Sequence, residues 1–508
     1  MPTNLNRNHP LNRKQLLWNA LSTFAQVLAS AAVLFFLYRF LIRALGIERL
    51  GIWSLVLATT SLVVLANQGF STSIVKFVAQ YVARGSAPAV SALLQTALLS
   101  LGLGVAVISI ALYPLGAWIL KIIVPASALP EAIALLPWAL VSLWLNVLLG
   151  LLQAGLAGHE LYTLVNFVEV SGSALYLASA FLLVPRHGLL GLAYAQAAVA
   201  AACLIATWIL LRRRLPALPL IPRRWSTPLF REFAAYALQF QFITASQAFR
   251  EPVTKALITK FGGLAMTGFY DMASRWVVTF RELIVQANQV LVPTVSGLRE
   301  REPGAIPRLY RESYRLVFFL AVPLFSLLVA LSPLVSVIWI GHFEPIFIAF
   351  VAILAAGWLV NILCNPAYVA DLGTGALRWV TTGCLATAFL NLVAGFGAGK
   401  LWGGTAVVAA SMASLSIGYF IVLISFHREH RISIRHLLPK ESLGVSVAAI
   451  VGSLISLPVL SATVSGRLFS IASTAAILAA FCLLLIVPVW MHPLRRRLLA
   501  WVFSRVAA

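Results

Sequence analysis

Hydrophobic runs of about 20 residues succeed one another along almost the whole chain, broken by short polar or Gly- and Pro-containing joints. They lie near residues 16–38, 51–70, 87–113, 131–157, 160–184, 188–211, 233–258, 264–292, 314–340, 346–370, 375–398, 402–425, 441–461 and 467–490. A helix rises 1.5 Å per residue, so runs of this length span a hydrocarbon core about 30 Å thick. The pattern predicts an all-α, polytopic membrane protein with about 14 transmembrane helices. Barrel strands are excluded, because the runs are too long and lack inside-outside alternation. Neighbouring runs meeting near Gly158 and Gly188 are not separated by periodicity alone, so counts of 12 or 13 also fit.

The first six runs are echoed by the next six. ALGIERLGIW at Ala44–Trp53 returns 217 positions later as FGGLAMTGFY at Phe261–Tyr270, aligning Gly46 with Gly263 and Gly51 with Gly268. Downstream, Asn146 meets Asn361 at an offset of 215 and Gly191 meets Gly404 at 213. The expected organisation is a first six-helix repeat over 11–214, a second over 228–430, two additional helices over 441–490 and a basic tail over 491–508. An even number of helices per copy gives both copies the same orientation, related by an axis along the membrane normal, a build common among secondary transporters.

Composition supports this reading: 61% of residues are hydrophobic and 10% charged, with mean hydropathy +0.94. The net charge of +22 sits in runs beside the hydrophobic segments, notably Arg212–Arg214 with Arg223 and Arg224, Arg299–Arg315, Arg428–Lys440 and Arg495–Arg497. Loops rich in Lys and Arg stay cytoplasmic, so both termini are expected on the cytoplasmic side. The charge then reads as topology and attraction to anionic lipid; no separate basic-aromatic module suggests nucleic acid. The first hydrophobic run lacks a cleavage site and reads as a retained helix. Cys203, Cys364, Cys384 and Cys482 lack paired spacing and read as small core residues. AGFGAGKL around Lys400 lacks the first Gly and the Ser/Thr of a P-loop. No cofactor, metal or catalytic motif stands out, and His427, His430 and His436 read as solvated loop residues.

Polar positions within the runs are few and periodic. Asn19, Thr23, Gln26 and Ser30 fall on one helical face, as do Gln239, Ser246, Arg250 and Thr254 in the repeat-equivalent run. The following run adds Asp271, Arg275, Glu282, Gln286 and Gln289, and the second run adds Asn67, Gln68, Ser71 and Lys76. These faces are expected to line a common polar interior. Arg250, Arg275 and Arg281 weigh most, because a charge at the bilayer centre costs roughly 2.5–3.5 kcal/mol. Two readings stand side by side. Asp271 with Arg275, and Glu251 with Lys255, have intrahelical ion-pair spacing, and Arg281 beside Glu282 can snorkel. Alternatively the arginines, with Lys76, give the interior a positive field and grip an anionic phosphate headgroup. Glu169 and Asp271 are the candidates for proton or Na⁺ coupling, against a buried, protonated Glu169 bonded to a neighbouring helix. Pro252 marks a kink in its helix, either a bending element or a static one.

The segment RALGIERLGIWSLVLATTSLVVLANQGFSTSIVKFVAQYVARG resembles the first-to-second helix region of Wzx-type polysaccharide transporters. These O-antigen flippases belong to the superfamily that includes multidrug and toxin extruders and lipid II flippases. FGGLAMTGFYDMASRW, followed by VLVPTVSGL, resembles the second-copy equivalent. The resemblance implies a 14-helix fold and alternating access for a polyprenyl-diphosphate-linked oligosaccharide. The glycan would cross to the periplasmic leaflet for O-antigen, capsule or exopolysaccharide export, with membrane lipids and other glycan-assembly proteins as neighbours. Arg250, Arg275 and Lys76 would meet the headgroup by position and chemistry. A cation-coupled multidrug exporter of the same superfamily is the main alternative, and an integral-membrane glycan polymerase a further one.

Overall fold

The computed structural model describes residues 13–159, 161–234, 249–289, 303–374, 377–433, 440–465 and 471–492. Their regular structure is helical throughout. Twelve helices are continuous: α1 (Arg13–Leu45), α2 (Ile47–Ala83), α3 (Ala87–Ile123), α4 (Leu129–Gly158), α5 (Tyr162–Arg214), α6 (Arg250–Gln289), α7 (Ile306–Ile340), α8 (Pro345–Thr374), α9 (Leu377–Trp402), α10 (Gly404–Glu429), α11 (Leu443–Ser465) and α12 (Ile471–Met491). Two of these double back, α5 at Gly188 and α6 at Gly263, which makes fourteen helical segments in the order the hydrophobic runs predict. Among the described residues, seven helices meet the length and hydropathy needed to cross a membrane, and 73–82, 443–455 and 478–491 are shorter apolar stretches. The protein is a multi-pass membrane protein.

The reversal inside α6 is readable from its side chains. Thr259 Oγ1 lies 2.8 Å from Thr267 Oγ1, and Lys255 Nζ lies 2.8 Å from Asp271 Oδ1. Both pairs are centred on residue 263, as an antiparallel hairpin turning there requires. Gly263 makes the turn at φ 82°, and Gly46 between α1 and α2 has φ 80°. This left-handed backbone is open to glycine and costs other residues roughly 1–2 kcal/mol. Gly188 and Gly403 likewise turn at φ 57° and 78°. Their offset is 215, so the conformational counterpart of Gly403 is Gly188, two positions away from the register that the Gly191–Gly404 match gave. Pro252 lies in the first turn of the described part of α6 (Arg250–Gln289), and residues 235–248 before it lie outside the described residues. The described helix changes direction at Gly263.

The chain divides into two compact units, residues 1–40 with 59–244 and residues 41–58 with 245–508. In the first, Ile74, Val78, Leu94, Leu151, Leu156, Leu211 and Phe233 form a buried core, with α3 against α4 and α4 against α5. In the second, α8 packs against α6, α7 and α10, and α9 lies along α10, around the fully buried Tyr270, Phe325, Phe347, Phe350 and Phe426. The two last helices belong to this unit. α11 runs along α7 and is tied to it by Ser453 Oγ donating to Ser326 O at 2.8 Å. Close helix packing of this kind substitutes for the hydrophobic effect, which lipid tails do not supply.

Candidate functional site

The site is built on the α6 hairpin in the second unit. Its tip meets the tip formed by residues 41–58 of α1 and α2, which belong to the same unit. A Cβ added at Gly51 would collide with the carbonyl of Leu264, and one at Gly268 would lie 2.5 Å from the carbonyl of Ile47. Ile47 and Leu264, like Gly51 and Gly268, are 217 positions apart. The contact is therefore reciprocal, each tip presenting the same small residue to the same backbone position of the other, as in an isologous interface. Only glycine at both positions permits this approach.

Below the turn lies an ionic network. Lys255, 3% exposed, places Nζ 2.8 Å from Asp271 Oδ1 and 3.0 Å from Glu251 Oε1. Asp271 is as deeply buried and accepts a further hydrogen bond from Ser54 Oγ at 2.8 Å. Arg275 Nε is 3.8 Å from Asp271 Oδ2, and its side chain is half-exposed. Asp271 is thus held chiefly by Lys255 across the hairpin and by Ser54 from α2, with Arg275 as an outer partner. Removing one member of such a pair strands a buried charge, at a cost of about 3–5 kcal/mol.

Beside the network two arginines share one indole. The guanidinium carbons of Arg250 and Arg281 stand 4.9 Å and 4.3 Å from the ring centroid of Trp358 on α8. Arg250 is 9% exposed; its Nη1 lies 3.5 Å from Ser411 Oγ. Its carbonyl accepts from Asn391 Nδ2 at 3.1 Å, and Thr254 Oγ1 contacts both Asn391 Oδ1 and Ser411 Oγ. Helices α9 and α10 therefore hold the start of α6 in place. Arg281 donates from Nε to Asn361 Oδ1 at 3.0 Å and pairs with the adjacent Glu282. Cation–π contacts of this kind reach about 2 kcal/mol when desolvated. Trp358 Nε1 is a buried donor with no acceptor among the described residues, while the Asn361 amide faces the Tyr419 hydroxyl. Across the whole cluster four bases (Arg250, Lys255, Arg275, Arg281) face three acids (Glu251, Asp271, Glu282), a local excess of one positive charge.

The second unit thus gathers Arg250, Asp271, Arg275, Arg281 and Glu282. The first unit carries the others that are described. Lys76 is exposed and lies 5.4 Å from the ring of Phe77, and Gln26 Nε2 is 3.4 Å from Ser30 Oγ. Glu169 is exposed and not buried; its Oε1 accepts from Gln153 Nε2 of α4 at 3.1 Å. The side chains of Asn19, Asn67 and Gln68, and residues Gln239 and Ser246, lie outside the described residues. Lys255, Trp358, Ser54, Asn361, Asn391 and Ser411 are the members that sequence reasoning did not single out for this site. Two further readings change. His427 is 3% exposed and bonds through Nε2 to Tyr310 OH at 2.7 Å, so it is a packed residue of α10, while His436 lies outside the described residues. Cys482 is exposed on α12, unlike the three buried cysteines. Among the described residues no group of His, Cys, Asp and Glu could hold a metal ion.

Comparison with known proteins agrees with this architecture. The model of the polysaccharide biosynthesis protein family matches residues 40–345. No curated protein matches the chain. The lipid II flippase MurJ in an inward closed conformation is similar at TM-score 0.69 and 12% identity, covering 93% of this chain and 98% of that one. A multidrug resistance MATE family transporter of the MOP superfamily, inward-facing, gives TM-score 0.69 at 12% identity over 80% and 98%. The Vibrio cholerae MATE transporter VcmN in its bent form gives 0.58 at 13% over 82% and 98%. At such identities the likeness is one of fold. The chain belongs to the polysaccharide biosynthesis protein family and has a MATE- and MurJ-like fold.

Proposed function

We propose that the protein is a flippase, not an enzyme. It carries a polyprenyl-diphosphate-linked oligosaccharide across the bacterial inner membrane by alternating access, for O-antigen, capsule or exopolysaccharide assembly. Both termini are cytoplasmic in this reading. The observation that carries it is the Arg250–Trp358–Arg281 group. Its spare hydrogen-bonding capacity is of the donor kind: two guanidiniums and one indole N–H. A ligand that fits must bring acceptors and negative charge, and a diphosphate brings both, with oxygens matched to the fork of a guanidinium. Arg275 and Lys76 are further cations that the headgroup meets along its path. The long prenyl tail stays in the bilayer, because burying it in a polar interior would gain nothing.

Proteins of similar fold include a flippase of lipid II and a multidrug transporter, and membership of a polysaccharide biosynthesis family favours the glycan-lipid cargo. The test is a leaflet assay in proteoliposomes, with wild-type protein and an Arg250→Gln/Arg281→Gln variant. The reading expects protein-dependent movement of a prenyl-diphosphate oligosaccharide and a loss of at least tenfold in the variant. Gradient-driven efflux of small organic cations, with no movement of any lipid-linked glycan, would make the protein a drug exporter instead.

A further inference from the structure

The first unit carries an apolar groove that the transport reading does not use. It runs along α3, α4 and the second half of α5, has a volume of about 450 Å³, and is lined by Leu98, Leu148, Trp144, Trp208, Leu220 and Pro222 among others. Trp144 is fixed within it by donating Nε1 to Gly102 O at 2.8 Å. Its outer rim is formed by Leu103 and Ile205, 68% and 59% exposed, on helices long and apolar enough to cross the membrane. The groove therefore opens sideways, toward where lipid tails lie.

One end is closed by the linker after α5, and that end is built. Ser91 Oγ donates to Ala217 O at 2.8 Å, and Ser226 N to Thr96 Oγ1 at 3.2 Å. Gln95 Oε1 accepts from the backbone N–H of both Arg223 and Arg224, each at 3.1 Å. Trp225 Nε1 donates to Ser100 Oγ at 2.8 Å. Leu220 and Pro222 form the lip, and the next two residues are the arginines, whose side chains are exposed. Arg212, one turn beyond the groove-lining Trp208, donates Nε to Leu218 O at 3.2 Å and draws a third guanidinium to the same end. No acidic side chain among the described residues pairs with Arg223 or Arg224.

We propose that this groove is a binding site for an anionic glycerophospholipid, one acyl chain lying against Trp144 and Trp208 and the phosphate held by Arg223 and Arg224. An apolar channel open to the bilayer and ending in fixed cations matches a molecule with an apolar tail and an anionic head. At about 30 Å³ for a group the size of a water molecule, the groove takes on the order of 15 methylenes, about one acyl chain. Basic ends face the cytoplasmic leaflet, where anionic lipids concentrate. The site is independent of the transported substrate.

The experiment is native mass spectrometry of the intact protein in nanodiscs made from an equal mixture of phosphatidylethanolamine and phosphatidylglycerol. Arg223→Gln/Arg224→Gln removes the head contacts without touching packing. Ala106→Trp and Ile205→Trp fill the groove from separate helices, so the test survives a folding failure in either. All three variants are expected to lose roughly tenfold or more of the retained phosphatidylglycerol and to keep the wild-type level of phosphatidylethanolamine. The proposal is overturned if the groove-filled proteins hold phosphatidylglycerol as wild type does, since the arginines then attract lipid only diffusely. Stoichiometric displacement of phosphatidylglycerol by a prenyl diphosphate would also overturn it, by assigning the groove to the transported lipid.

Discussion

At the scale of single residues, the site depends on charges that have exchanged water for one another. Asp271→Asn leaves Lys255 with only the half-exposed Glu251, and a loss of about 3–5 kcal/mol is expected. Thermal melting of the purified protein measures it, and a Lys255→Met/Asp271→Leu double variant should recover most of that loss. Trp358→Leu removes the surface on which both arginines rest, at about 1–2 kcal/mol per contact. It should lower glycan-lipid transport several-fold when compared at equal amounts of folded protein. Sequence alone pointed to Arg250, Asp271 and Arg275, because a charge inside an apolar run is conspicuous. Lys255 was visible only as the i+4 partner of Glu251; its stronger tie to Asp271 exists because the hairpin turns at Gly263. Trp358 carried no signal, since an indole within an apolar run looks like core whether or not it carries cations.

At the scale of elements, turns and helix ends decide the geometry. Gly263→Val forces a β-branched residue into φ 82° and should destabilise the hairpin by at least about 1–2 kcal/mol. Gly51→Leu and Gly268→Leu should each separate the two hairpin tips, and their effects should not add, because either one breaks the same reciprocal contact. A thermal-melt cycle over the two single variants and the double variant checks this. His492, just past α12, is pushed below the usual histidine range first by burial and further by Arg315, against the opposing pull of Glu441; its Nε2 lies 3.0 Å from Ser442 Oγ. A depressed folded-state value means that the unfolded chain takes up the proton first. The contribution is present above the ordinary value near 6.5 and is lost as pH falls through the folded one. Stability should therefore decline below about pH 6.5 in wild type and less so in His492→Gln, as melting across pH would show. The fourteen segments were legible because twenty apolar residues in a row have few alternatives in lipid. His427 was misread because hydropathy does not mark where a helix ends: α10 runs to Glu429, four residues past the apolar run that stops at 425.

At the scale of the molecule, hydropathy gave the helix order that the described helices follow. Where the compact units divide was not legible. Residues 41–58 group with the second unit, because Gly51 and Gly268 bring backbones together that a repeat boundary would keep apart. The proposed cargo follows from donor-rich chemistry at Arg250, Trp358 and Arg281 within a transporter fold. The measurement that tests it most directly compares leaflet transfer of two lipids carrying the same oligosaccharide on the same prenyl chain, one through a diphosphate and one through a neutral ether. Wild-type protein should move the diphosphate lipid at least tenfold faster, and Arg250→Gln/Arg281→Gln should erase the difference. Equal transfer of both lipids by wild-type protein would contradict the account, because the two arginines would then have no phosphate to recognise.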